Sequence, residues 1–156
     1  MKTSFAVLII LHLFFAAFAQ EVYWQGGTPG RETDWMEPQN WVGGQVPAWK
    51  DIVIVPYQEH RFYPEVGCVA PLIQSLKVNK GASLTIAPGG VLSVDAAESE
   101  EDGILLEGFI FNFGALILTE MELESVENQL AHLDNQGVCS LVTDMGHIPL
   151  TTHDNQ

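Results

Sequence analysis

Beyond residue 71 the chain alternates apolar and polar positions in short bursts. Leu76-Lys77-Val78, Leu84-Thr85-Ile86 and Leu92-Ser93-Val94 share an apolar-polar-apolar pattern, each triplet eight residues after the last. Successive side chains of a strand point to opposite faces, so each triplet predicts a short strand with one buried face. The pattern returns after 24 positions: Leu92 and Val94 map onto Leu116 and Leu118, and these onto Ser140 and Val142. Leu84 and Ile86 map in the same way onto Gly108 and Ile110. Three strands per turn and about 24 residues per turn predict an all-β fold, a short three-sided parallel β-helix (solenoid) of about three to four coils. An antiparallel β-sandwich is the alternative, because hairpins also recur at such spacings.

Two stretches interrupt the repeat. Residues 95–102 (DAAESEED) are acidic and poor in strand formers, which predicts a loop bulging from a corner. Residues 120–133 (EMELESVENQLAHL) mix alternation with helical spacing, so solenoid rungs and a short helix are both open. Upstream, residues 22–56 hold Trp24, Trp35, Trp41 and Trp49 among Gly and Pro turns, with Ile52–Val55 as the first clear strand. The expected layout is one solenoid domain over 20–150, with a Trp-rich N-terminal cap at 20–56, stacked coils at 71–150 and a polar, flexible tail at 151–156.

Residues 1–19 stand apart. Lys2, the apolar run Phe5–Phe15 and the small-residue pattern Ala17-Phe18-Ala19 read as a secretory signal peptide. Its removal would leave no second apolar segment long enough to span a membrane. The chain carries Asp+Glu 20 against Lys+Arg 6, a formal net charge of −14. Thirteen of the carboxylates lie in residues 81–156, where there is no Lys or Arg at all. That balance excludes nucleic acid as a partner, since phosphate backbones are held by clustered cations. It points to cations, basic proteins or extracellular matrix.

Candidate chemistry follows from the clusters. Exposed tryptophans stack on sugar rings, whereas buried ones would plug the open end of a solenoid. If most serve as the plug, Trp24 and Trp49 are the candidate ligand-binding pair. Asp95, Glu98, Glu100, Glu101 and Asp102 are candidate metal ligands, because Ca²⁺ takes six to eight oxygens. Their spacing matches neither an EF-hand loop nor a calcium-binding β-roll repeat. Glu107, Glu120, Glu122 and Glu124 would extend the same acidic face. No catalytic residue is singled out, because the chain lacks a nucleophile elbow, a Cys-x-x-Cys motif and a phosphate-binding glycine loop. Beyond Ca²⁺, no cofactor is indicated.

Cys68 and Cys139 are the two cysteines. A secretory route favours pairing them. Yet three stacked coils at about 4.8 Å each would hold them roughly 14 Å apart, beyond the Cα separation a disulfide tolerates. A bridge and two thiols both stand at this point.

The order Trp24-x-Gly26, Asp34-Trp35, Asn40-Trp41, Gly44-x-Val46-Pro47, Asp51-x-Val53-Ile54-x-Pro56, then Ser75-Leu76-x-Val78 and Gly81-Ala82-x-Leu84-Thr85-Ile86, resembles the opening module of secreted bacterial-type parallel β-helix surface proteins. A fainter similarity is to the ectodomain of amnionless. The resemblance spans about residues 22–118 and implies architecture more than one activity. The expected function is a secreted, non-enzymatic extracellular interaction or structural module with an acidic C-terminal face. A glycan-binding or glycan-active module, with Asp34 and Asp51 near the tryptophans, and a receptor-ectodomain-like protein binder are the alternatives.

Overall fold

A computed structural model describes residues 19–97, 103–121, 126–127, 129–143 and 146–150. The signal segment before residue 19, the tail after residue 150 and the acidic positions Glu98, Glu100, Glu101, Asp102, Glu122 and Glu124 lie outside them.

Strand β1 (Gln20–Tyr23) starts the first side, and β2 (Asp51–Val55) and β3 (Glu65–Val66) begin the next coil. Strands β4 (Ser75–Val78), β5 (Ser83–Ile86) and β6 (Val91–Asp95) complete one full turn. Strands β7 (Ile104–Leu106), β8 (Phe109–Asn112) and β9 (Ala115–Thr119) make a second. Strands β10 (Leu133–Asn135) and β11 (Val138–Thr143) follow, and β12 (Gly146–Pro149) folds back along β11. The sheets run β1-β2-β4-β7, β3-β5-β8-β10 and β6-β9-β11-β12, the three sides of a β-solenoid of about three turns. Every strand pairing is parallel except β11 with β12, which excludes the sandwich.

The eight-residue triplets are the three sides of one coil. Leu76, Leu84 and Leu92 are fully buried, while Lys77, Thr85 and Ser93 between the apolar positions turn outward. Apolar columns run along the axis: Val53–Leu76–Ile104 on the first side and Leu92–Leu116–Cys139 on the third. Each coil thus covers the apolar face of its neighbour, and a fully buried aliphatic side chain contributes roughly 1.5–3 kcal/mol.

The register departs from a strict 24-residue frame. Leu116 pairs with Cys139 and Leu118 with Leu141, one position short of Ser140 and Val142. Leu84 pairs with Ile110 and Ile86 with Asn112, two positions beyond Gly108 and Ile110. The ladder requires strands to stack, but corners absorb different lengths of chain. Residues 79–82 separate β4 from β5, whereas only 107–108 separate β7 from β8.

One corner is built on glycine. A Cβ on Gly114 would overlap the carbonyl oxygen of Gly90, and one on Gly137 would overlap that of Gly114. The chain therefore turns against the coil beneath it with no side chain between. Beside this corner Asn112 is fully buried, and its amide donates to Asn135 Oδ1 at 2.7 Å and to the Val138 carbonyl at 2.9 Å.

Of the two expected states of Cys68 and Cys139, a bridge or two thiols, the protein has the thiols. Both thiols are free, Cys68 exposed and Cys139 buried. Val69 pairs with Val91, Val91 with Ala115 and Ala115 with Val138, so Cys68 and Cys139 lie three coils apart on the same side. At about 4.8 Å per coil that is the roughly 14 Å that forbids a bond.

The N-terminal end is closed by tryptophan. Trp24, Trp35 and Trp41 are buried, with Trp24 and Trp35 each packed edge-on against Trp41 at 4.8 Å between ring centroids. Asn40, also buried, donates to the carbonyls of Arg31 and Asp34 and accepts from Thr28 N–H, which pins the loop that carries the rings. Strand β1, hidden in this turn-rich stretch, adds a rung parallel to β2. At the far end Val126 is buried, and Gln129 Oε1 accepts the Leu106 N–H at 2.8 Å on the last strand of the first sheet. Among the described residues no helix is long and apolar enough to cross a membrane.

Candidate functional site

The strand alternation that fills the core also decides which side chains face solvent. On β8 it buries Ile110 and Asn112 and turns Phe109 and Phe111 outward, and Phe113 follows at the corner, with Phe109 51% and Phe113 40% exposed. The Phe109 and Phe111 rings lie 6.4 Å apart at 19°. Stacking of coils lines up neighbours from other turns. Phe111 stands in register with Asp134 on one side and Thr85 on the other, and Thr85 with Glu65. Phe109 is paired with Ser83, and its ring lies 5.6 Å from that of His132. The outer face of the second sheet is thus an aromatic row flanked by carboxylates and hydroxyls. It is rigid, because the same strands carry buried core residues on their other side.

The residues expected to bind a ligand are placed differently. Trp24 is 1% exposed, and its indole N–H donates to the Phe62 carbonyl at 2.6 Å, so it is structural and unavailable to a ligand. Its ring completes the N-terminal plug, and that burial is the reason for the correction. Trp49 is 60% exposed on the loop before β2, with the Lys50 ammonium 4.7 Å above its ring. The fold therefore buries one of the two tryptophans and exposes the other.

Asp95 ends β6 in register with Thr119, and its carboxylate accepts the Ala97 N–H at 3.1 Å. The remaining members of that candidate Ca²⁺ cluster lie outside the described residues. Among the described residues no group of three or more His, Cys, Asp or Glu could hold a metal ion. Asp34 and Asp51, the acids near the tryptophans, each accept a local backbone N–H, from Met36 at 2.9 Å and Ala48 at 2.8 Å. Both carboxylates close turns. Burial pushes the Cys139 thiol up to about 11, which keeps it protonated and unreactive near neutral pH.

Sequence reasoning passed over the phenylalanine row. Its signal was present in Phe109-Ile110-Phe111-Asn112-Phe113, where the core frame already sends Ile110 inward. Large apolar side chains at three alternating outward positions are an anomaly in such a frame, and such an exposed patch marks a contact surface. No family model, no curated protein and no solved structure matches the chain.

Proposed function

We propose that the chain is a secreted, non-enzymatic extracellular interaction module that binds through its acidic C-terminal coils. The observation that carries this reading is the outer face of β8, where phenylalanines are held outward on a rigid sheet beside carboxylates. The signal-like segment at 1–19, the thirteen carboxylates without a Lys or Arg after residue 80, and the motif likeness to secreted β-helix surface proteins support it. The partners that fit are cations, basic proteins or matrix.

The test is retention of the mature chain on immobilised basic protein and on an extracellular-matrix preparation at low and moderate salt, with calorimetric titration of Ca²⁺. Salt-sensitive retention is expected, because exposed charges are screened over about 8 Å at physiological ionic strength. Failure to bind any of the three at low salt overturns the reading.

A glycan-binding role has one observation in its favour, the exposed Trp49. A glycan array comparing the wild type with Trp49→Ala tests it, and a hit that survives the substitution removes Trp49 from that role.

A further inference from the structure

We propose that the outer face of the second sheet docks an extended, Arg- or Lys-bearing segment of a partner protein, its cations seated on the Phe109–Phe111–Phe113 row. The inference rests on the interaction-module reading and names where the contact lies and what chemistry it takes.

Phenylalanine offers no hydrogen-bonding atom. What it presents is apolar area and the negative face of its π-system, which attracts a guanidinium or ammonium. The molecule already makes such a contact, between Lys50 and Trp49. Charge on the strands of this face is negative: Asp134 stands beside Phe111 and Glu65 lies in the same column, with Glu107 exposed at the corner before β8 and Lys80 at the corner before β5. Strands β3, β5, β8 and β10 carry no Lys or Arg to neutralise those carboxylates from within the sheet.

Spacing narrows the form of the partner. Alternate residues of an extended chain are about 6.6–6.8 Å apart, close to the 6.4 Å between the Phe109 and Phe111 rings. An extended segment laid along β8 with a cation at every second residue can therefore seat one on each of these two rings.

Charge also decides between occupants. A second copy of this chain would bring a net −14 against the same sign and be repelled. A neutral glycan would stack on the rings but leave the repulsion among the carboxylates unrelieved. A cationic segment answers both features of the face at once.

The experiment uses the mature chain and a fluorescent peptide of alternating Arg and Ser, read by anisotropy at low salt. The double variant Phe109→Ser/Phe113→Ser is expected to bind about fivefold or more weakly, since two exposed cation–π contacts are lost. Glu65→Gln/Asp134→Asn, which removes no apolar contact, is expected to weaken binding and flatten its salt dependence. Val69→Ser, 70% exposed on the third side, is expected to bind as the wild type does. Equal binding by all variants overturns the docking site while leaving the acidic-module reading intact. No binding of the peptide by the wild type overturns the docking site, and the acidic-module reading then stands or falls on the retention and Ca²⁺ measurements. Capture of a neutral oligosaccharide, lost in the phenylalanine variant, with no capture of the peptide, overturns the proposal in favour of a glycan.

Discussion

Gly114 shows how little room the corners leave. A Cβ there would meet the backbone oxygens of Gly90 and Ala87, neither of which can swing aside as a side chain could. Gly114→Ala is expected to lower the unfolding free energy by about 1–3 kcal/mol or more, measured by urea denaturation. Gly89→Ala is the contrast: its backbone is left-handed at φ +85°, but a Cβ would touch nothing within 4 Å. Its loss is expected to stay within about 1–2 kcal/mol. The two cysteines differ just as sharply. Iodoacetamide is expected to label Cys68 in the native protein and Cys139 only on unfolding, because one is exposed and the other buried. The folded Cys139 thiol titrates at about 11 against an ordinary 9.0. The folded state thus holds its proton where the unfolded chain loses it, and the stabilisation present below about pH 9 is lost as pH rises toward about 11. Denaturation midpoints over that window are expected to fall more steeply for the wild type than for Cys139→Ala.

At the scale of elements, the N-terminal plug acts as a unit. Trp41 touches both Trp24 and Trp35, and its indole N–H donates to the Trp35 carbonyl at 2.7 Å. Trp41→Ala is expected to destabilise by about 3–5 kcal/mol, with amide exchange rising first in β1 and β2. Trp49→Ala, at an exposed ring, is expected to stay within about 0.5 kcal/mol. Which elements were legible follows from how their residues alternate. Strands β4, β5 and β6 were legible because Leu76, Leu84 and Leu92 each lead an apolar-polar-apolar triplet. Strand β1 was not, because Gln20-Glu21-Val22-Tyr23 has one inward apolar residue and is placed by its pairing with β2, 31 positions away. The phenylalanine row was half legible, since its alternation was visible but its neighbours Asp134 and Glu65 arrive from other coils.

For the molecule as a whole, carboxylates outnumber cations, Asp+Glu 20 against Lys+Arg 6. Among the described residues one salt bridge occurs, Arg31 with Glu37 at 3.2 Å, in the cap. The acidic coils therefore repel themselves more than they gain from ion pairing. Raising sodium chloride from low ionic strength to about 0.15 M, where the Debye length is about 8 Å, is expected to raise the thermal midpoint. A protein held by surface ion pairs would respond in the opposite sense. The same screening that stabilises the fold would weaken attachment of a basic segment to the β8 face, so the two responses to salt should diverge.

By itself the sequence determined the strand triplets of the central turn and their repeat, because those depend on local alternation, while the parallel pairing that makes them a solenoid and not a sandwich came from the stacking. It also determined that negative charge concentrates after residue 80. Only the tertiary structure decided the register between coils, because corners absorb variable lengths of chain while the hydrogen-bond ladder fixes the stacking. It likewise decided that three tryptophans close the end, that Cys68 and Cys139 stand too far apart to bond, and that Phe109 and Phe111 share one face with carboxylates from other turns. Those relations join residues distant along the chain, and only the stacking of coils brings them together.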